Sequence, residues 1–145
     1  MVAGVGLSDK ILFTGPLSEP EKDRALQQSH LLLHTSLREG WGLNVIEANA
    51  MGTPAAVYPV EGLIESTLHD RTGLVAAAET PQSLADQIVS VLVDDARYQR
   101  YRRAAWERAK TLHWSQVLPR ACEWLEARAK GAPLTGESGQ VAAGS

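Results

Sequence analysis

The stretch HTSLREGWGLNVIEANAMGTP, residues 34–54, joins a strand end to a glycine-bearing loop and then to a helix. The apolar run Leu31–Leu33 predicts a short buried strand just before it. Residues 36–42 then predict a loop, and Leu43–Met51 predicts a helix closed by Gly52. The unpaired amides of a first helical turn and the helix dipole both favour an anion. The stretch therefore predicts an anion site between the strand and the helix.

Two carboxylates, Glu39 and Glu47, flank the predicted anion site. An anion at the amides of Gly42, Leu43 and Asn44 would be repelled by Glu39 unless that carboxylate accepted hydrogen bonds from hydroxyl groups. An unpaired Glu47 on a mostly apolar helix would also be costly. Sugar or ribose hydroxyls would satisfy both side chains. The spacing equally allows the alternative, in which Glu39 interacts with the helix dipole and Glu47 is an exposed helix residue.

The composition sets limits on the class of protein. A chain of 145 residues with 44% apolar residues predicts one domain with one core. The net charge of −3 gives no general reason to expect nucleic acid as a partner. The single cysteine, Cys122, excludes an internal disulfide and is interpreted as a passive helix residue. Since the chain has neither an apolar run of about 18 residues nor a signal peptide pattern, a cytoplasmic location is expected.

The order of predicted elements indicates an α/β fold with a parallel sheet followed by C-terminal helices. The predicted strands are Ile11–Phe13, Leu31–His34, Ala55–Tyr58 and Leu74–Val75. Besides the central helix, helices are predicted from Ser18 to Ser29, over Leu63–Leu68, and onward from Thr80-Pro81, from Asp94 or Asp95, and from Ser115. One domain is expected over residues 1–130, and the glycine-rich tail 131–145 is predicted to be disordered.

Three segments in order resemble one family of enzymes. EGWGLNVIEANAMGTP (39–54) resembles the E-x7-E region of family 4 glycosyltransferases, which are retaining enzymes of GT-B fold with nucleotide-sugar donors. GLSDKILFTGPLS (6–18) resembles the strand and loop before that region, and VEGLIESTLHDRTGLV (60–75) resembles the family's GG-x-x-E…D-G-x-T-G-L region. The resemblance covers roughly residues 4–125. One departure is that Val60 and Glu61 stand where many members have Gly-Gly.

The resemblance implies a role for each matched residue. Glu39 would be the catalytic glutamate, which holds donor-sugar hydroxyls close to the anomeric carbon, and Glu47 would bind the nucleotide ribose. No metal or cofactor is expected, because protein amides and basic side chains carry the diphosphate charge in this family. His34 is interpreted as a strand-end histidine without a ligand role. The other implied donor-binding residues are Gly40, Trp41, Gly42, Leu43 and Asn44 at the donor sugar and diphosphate, and Gly15, Pro16 and Leu17 beside the nucleobase.

The resemblance also implies a partial fold. It predicts a Rossmann-like, doubly wound parallel sheet of the GT-B C-terminal domain, lacking its first two strands. The strand near Ile11 would be strand 3 of the order 3-2-1-4-5-6, and the strand near Leu31 would be strand 4. The basic pair that clamps the diphosphate and the acceptor-binding domain would precede residue 1. The chain is therefore expected to be a fragment or a separately encoded half, marginally stable alone, that associates through unpaired strand edges or with an N-terminal domain or chain.

The predicted function is the donor-binding half of a retaining glycosyltransferase, inactive without its partner. The alternative is a truncated, non-catalytic nucleotide-binding or interaction module. A GT-B epimerase is disfavoured by the E-x7-E element, and a phosphorylase by the lack of a cofactor lysine motif.

The only basic cluster is predicted to be a solvated helix face. Peripheral contact with anionic lipid head groups is the minority interpretation of these arginines. The cluster consists of Arg97, Arg100, Arg102, Arg103 and Arg108.

Overall fold

The structure, a computed structural model, describes residues 6, 7 and 9–131. The described elements alternate between strands and helices and then end in three helices. In chain order they are α1 (Glu19–Gln28), β1 (Leu32–His34), α2 (Leu43–Ala50), β2 (Ala55–Val57), α3 (Glu61–Ser66), β3 (Gly73–Val75), α4 (Pro81–Leu92), α5 (Asp95–Thr111) and α6 (Trp114–Ala129).

The described strands form one parallel sheet in the order β1-β2-β3. Leu32 pairs with Ala55 and Ala55 with Gly73, so the central strand has a neighbour on each side. Helices cover both faces of the sheet. Ala55 and Val57 pack with Val45 and Leu63 on one face, while Ala56 belongs to a second cluster that includes residues of α4 and α5. The predicted α/β class, parallel sheet and doubly wound arrangement are confirmed.

The predicted strand at Ile11–Phe13 was wrong. These residues lie in irregular structure, with 84% of Leu12 and 80% of Phe13 exposed. A strand needs a neighbour that takes its backbone N–H and C=O groups. No other strand among the described residues lies beside this segment to supply one. Among the described strands, β1 is therefore an edge of the sheet, as expected from the unpaired strand edges.

The predicted helix starts coincide with side-chain caps. Glu21 accepts a hydrogen bond from the Ser18 amide at 2.8 Å, as in a capping box. The Thr80 hydroxyl accepts from the Ser83 amide at 3.2 Å, and the Asp94 carboxylate accepts from the Arg97 amide at 2.9 Å. At its other end, α2 is followed by Gly52 in the left-handed conformation, with φ of 78°.

The prediction that the arginines of α5 form a solvated face was wrong for three of the five. Arg97 pairs with Asp70 and donates to the Tyr101 hydroxyl at 2.8 Å. Arg102 donates to the Gly52 carbonyl at 3.0 Å, and Arg108 donates to the Ser66 carbonyl at 2.8 Å. These side chains attach α5 to the turns at Gly52 and Asp70 and to the end of α3. The other two, Arg100 and Arg103, are exposed as predicted, and contact with lipid head groups stays the minority interpretation.

The chain divides into two compact units, one ending at Ala109 and the other beginning at Lys110. Helix α6 belongs to the second unit, and its first turn is capped by His113, whose Nδ1 accepts from the Ser115 amide at 3.3 Å. No helix in the described part of the chain is long and apolar enough to cross a membrane. Of the tail predicted to be disordered, residues 132–145 lie outside the described residues.

Candidate functional site

The candidate site lies at the carboxyl edge of the sheet. Because all three described strands are parallel, the loops that follow β1 and β2 emerge at the same edge. The loop after β1 carries Glu39 and leads into α2. The loop after β2 leads into α3 at Glu61. The strand–loop–helix arrangement expected around Glu39 is thus present.

The two loops touch at Gly62. A Cβ atom built at this glycine would lie 2.4 Å from the Glu39 carbonyl oxygen and 2.6 Å from the Gly40 carbonyl carbon. Only glycine leaves room for such an approach of backbone to backbone. The residue pattern showed a departure from Gly-Gly at Val60 and Glu61, and no role was predicted for Gly62. Its position directly after these two residues, in the same motif, is the signal that could have indicated one.

The Glu39 carboxylate is held on both of its oxygens. Oε1 accepts a hydrogen bond from the Gly40 amide at 3.0 Å. Oε2 lies 3.3 Å from Nε2 of His34, the last residue of β1. The side chain of Glu39 is 29% exposed and that of His34 is 12% exposed, so the contact is partly shielded from solvent. The histidine expected to have no ligand role therefore faces the predicted catalytic glutamate.

Asn44 completes this contact from the first turn of α2. Its Nδ2 atom lies 2.9 Å from Nδ1 of His34. An amide nitrogen can only donate, so Nδ1 is the acceptor. Three residues from a strand, a loop and a helix are therefore joined at one point of the site. The residue pattern did not reveal this cluster, since its members meet only when the loop folds back.

The N-terminus of α2 is shaped by Gly42. This residue has φ of 71°, and a Cβ atom there would lie 2.9 Å from both Leu63 Cδ2 and Ser66 Oγ. Gly42 is buried and Trp41 half-buried, whereas Leu43 and Asn44 are exposed. The first turn of an eight-residue helix thus faces solvent beside Glu39, with its free amides available to an anion.

Glu47 lies one turn further along α2. Its side chain is 47% exposed and pairs with Lys22 Nζ at 3.2 Å. Lys22 also pairs with Glu19 at 2.6 Å. Hydrogen bonds to Glu19 first and to Glu47 second raise the pKa of the Lys22 ammonium. Glu47 therefore pairs with a lysine, where sugar or ribose hydroxyls were the expected partners, and nothing in the local sequence pattern had indicated Lys22.

The loop Gly15–Leu17, predicted to lie beside the nucleobase, is exposed and leads directly into α1. Gly15 has φ of 66°, a conformation typical of glycine. The loop connects to the site through α1, which brings Lys22 to Glu47. No hydrogen bond or ion pair in the described part of the chain joins residues 15–17 to Glu39.

The described residues contain no group of three or more His, Cys, Asp or Glu side chains that could hold a metal ion. The expectation that nucleotide-sugar binding needs no metal stays a prediction.

Comparison with known proteins identifies the family. The profile described as glycosyl transferases group 1 matches residues 1–108. The chain belongs to this family. The resemblance found in the sequence is thereby confirmed for the group 1 glycosyl transferases.

A relative of this chain is considerably longer than the stretch that aligns with it. D-inositol 3-phosphate glycosyltransferase from Corynebacterium glutamicum is 30% identical over 115 residues, which are 79% of this chain and 28% of that protein. The chain therefore spans a little over a quarter of this relative.

Two solved structures share the fold. Sucrose-phosphate synthase from Thermosynechococcus elongatus superposes with a TM-score of 0.79 at 24% identity, covering 90% of this chain and 33% of the synthase. HepE from Anabaena, in complex with UDP and glucose, superposes with a TM-score of 0.75 at 22% identity, covering 87% of this chain and 34% of HepE. The fold of this chain is that of a GT-B C-terminal domain, as the family resemblance implied.

Proposed function

We propose that this chain is the donor-binding half of a retaining glycosyltransferase, which transfers a sugar from a nucleotide-sugar to an acceptor. The observation that carries the proposal is the line of groups at the carboxyl edge. Glu39, the amides at the start of α2, and Glu47 follow one another within one loop and one short helix. A nucleotide-sugar presents hydroxyls, a diphosphate and further hydroxyls in the same sequence.

The diphosphate is assigned to the start of α2. The amides of residues 42–44 have no acceptor within the helix, and the helix dipole places partial positive charge there. Gly42 allows the backbone to turn sharply into the helix at this point. The donor sugar then extends towards Glu39, where an anionic carboxylate would accept hydrogen bonds from sugar hydroxyls and stabilise positive charge at the anomeric carbon.

The ribose is assigned to Glu47 and the nucleobase to residues 15–17. Glu47 is exposed and accepts from Lys22 on one oxygen, which leaves acceptor sites for two ribose hydroxyls. Residues 15–17 precede α1, and α1 contacts the Glu47 side of α2 through Lys22. The assigned contacts therefore follow the order of groups in a nucleotide-sugar, from the sugar through the diphosphate and the ribose to the nucleobase.

The acceptor is assigned to a part of the enzyme beyond this stretch. The chain spans 28% of the first relative described above, so an N-terminal domain or chain would supply acceptor contacts and the basic pair for the diphosphate. The isolated chain is expected to bind donor without transferring sugar. UDP-glucose is the first probe to use, because HepE was crystallised with UDP and glucose.

Calorimetric titration of the chain with UDP, other nucleoside diphosphates and their glucose conjugates tests the proposal. Glu47→Ala is expected to lower the affinity for every nucleotide roughly tenfold to hundredfold, since hydrogen bonds to a charged group are lost. Glu39→Gln is expected to weaken only the sugar conjugates. Asp86→Ala, which removes an exposed carboxylate on α4, is the matched control and is expected to bind like the parent.

Two results would contradict the proposed function. If no nucleotide binds at millimolar concentration and Glu47→Ala equals the parent, the donor site is absent from this chain. If nucleotides bind but Glu39→Gln changes nothing, the alternative of a non-catalytic nucleotide-binding module is favoured. The expectation of metal-free binding is tested by titrating the parent once with Mg²⁺ present and once with EDTA. It predicts equal affinities in the two titrations.

A further inference from the structure

The His34 side chain is largely enclosed at the site, with 12% of its surface exposed. It ends β1, so its backbone is fixed by the sheet through pairing with Val57. Both ring nitrogens face polar partners, Nδ1 towards Asn44 at 2.9 Å and Nε2 towards Glu39 at 3.3 Å. A histidine whose two nitrogens are both engaged has a defined ring orientation.

Asn44 determines which nitrogen carries the proton. Its amide nitrogen donates to Nδ1, so the proton of the neutral ring resides on Nε2. The protonated Nε2 then lies 3.3 Å from Oε2 of the Glu39 carboxylate. The chain of donors runs from the first turn of α2 through the histidine to the glutamate, and each group has the partner that its chemistry requires.

Glu39 depends on this arrangement because it lies in a loop. Loops are more mobile than the elements that they connect, so the backbone alone does not fix the carboxylate. The neighbouring Gly40 amide binds one oxygen, and only His34 ties the other to a regular element. A carboxylate has about four acceptor sites. With one used on each oxygen, one on each remains for sugar hydroxyls.

We propose that His34 is a positioning residue for Glu39, with Asn44 setting its tautomer, so that the carboxylate is aimed at the donor sugar before the donor arrives. The inference rests on the proposed function for the role of Glu39. It goes beyond that proposal because it predicts that recognition of the sugar, as opposed to the nucleotide, depends on a residue that touches neither.

Binding measurements separate these two parts of the donor. We expect His34→Leu to raise the Kd for UDP-glucose about tenfold, as for loss of a hydrogen bond to a charged group, while the Kd for UDP stays within about twofold. His34→Gln should restore most of the affinity, since its amide nitrogen can replace Nε2 as a donor. His30→Leu, an exposed histidine just before β1, is the matched control and should equal the parent.

The imidazole spectrum tests the same inference without any ligand. In ¹⁵N-edited spectra at about pH 8, where an ordinary histidine is neutral, His34 of the parent should show the Nε2-protonated tautomer alone. Asn44→Leu should give a mixture of tautomers at His34, with His30 unchanged, whereas Glu39→Ala should keep the Nε2-protonated tautomer because Asn44 still donates to Nδ1. A tautomer mixture in the parent, or a single tautomer that survives Asn44→Leu, would overturn the inference.

The possible failures can be told apart. If the parent binds no nucleoside diphosphate or sugar conjugate, the proposed function fails, whatever the spectrum of His34 shows. If the parent binds UDP-glucose and Glu39→Gln weakens it, but His34→Leu binds like the parent, the proposed function stands and the positioning role is wrong. If His34→Leu weakens UDP and UDP-glucose equally, its effect is on the fold, and the positioning role is again wrong.

Discussion

At the scale of single residues, Gly62 is the glycine at the site with the least room for a side chain. Replacement by alanine would place a methyl group 2.4 Å from the Glu39 carbonyl oxygen, which belongs to backbone and cannot rotate away. The loop that carries Glu39 must then shift. Gly62→Ala is expected to lower the free energy of unfolding by about 1–3 kcal/mol, as for other overpacked positions. Urea unfolding at neutral pH measures this loss.

Gly40→Ala is the control for Gly62→Ala. Gly40 lies in the same loop, its φ is not positive, and no atom outside its chain neighbours lies within 4 Å of a Cβ built there. Its free energy of unfolding is expected to stay within about 0.5 kcal/mol of the parent. Equal losses in the two variants would show that chain stiffness, rather than contact with Glu39, explains the effect.

The residue pattern predicted the location of Glu39 and Glu47 because both depend on local structure. A strand, a loop and a helix start are encoded over about 20 neighbouring residues. The partners His34 and Lys22 were missed for the opposite reason. Lys22 meets Glu47 only because α1 packs beside α2, and His34 meets Glu39 only because the loop turns back on β1. Such contacts follow from tertiary packing, which a local pattern does not encode.

At the scale of elements, Asp70 connects the turn before β3 to α5. Its φ is 57°, a conformation that asparagine and aspartate adopt more readily than most residues. Its carboxylate accepts hydrogen bonds from the Tyr101 hydroxyl and the Arg97 guanidinium. The hydrogen bond from Tyr101 first, and that from Arg97 second, hold the pKa of Asp70 below its ordinary value. The ionised form therefore stabilises the folded chain.

This pKa shift predicts a dependence of stability on pH. Because the folded pKa is depressed, the contribution of Asp70 is fully present above its unfolded pKa of about 3.9 and is lost as the pH falls through the folded value. Asp70→Asn keeps the backbone conformation and is expected to be less stable at pH 7. The loss should be about 1 kcal/mol or less, since the side chain is 57% exposed and solvent screens the pair.

Urea unfolding at pH 7, 5 and 3 checks the Asp70 prediction. The difference between parent and Asp70→Asn should be similar at pH 7 and 5 and should shrink below about pH 4. Asp86→Asn, on the exposed side of α4, should differ from the parent by no more than about 0.5 kcal/mol throughout. A difference for Asp70→Asn that grows on acidification would contradict the assigned sign.

The strands show how far an apolar run can predict an element. Ala55–Val57 and Ile11–Phe13 are both short apolar runs bounded by turn residues. The first is a strand because it is paired on both sides, and its three residues are fully buried. The second has no neighbouring strand in the described structure, and it is irregular. Pairing across the sheet, rather than the run itself, decides between the two outcomes.

At the scale of the whole molecule, β1 is an edge of the sheet that the described strands form. Leu32 donates to Pro54 and His34 accepts from Tyr58 on the side of β2. In a parallel strand the residue between them points its N–H and C=O the other way, so those groups of Leu33 face outwards. The Leu33 side chain is 54% exposed. Such an edge is a template for pairing with another strand.

We therefore expect the isolated chain to associate with itself as its concentration rises. Leu33→Lys should reduce this association, because a lysine on an edge strand disfavours pairing. Leu37→Lys is the matched control. Leu37 is 63% exposed but lies in the loop after β1, so its replacement tests whether any exposed leucine promotes association. Sedimentation velocity over a hundredfold range of concentration measures the degree of self-association of the parent, Leu33→Lys and Leu37→Lys. A parent that stays monomeric throughout and unfolds cooperatively above about 50 °C would contradict both the open edge and the expected marginal stability.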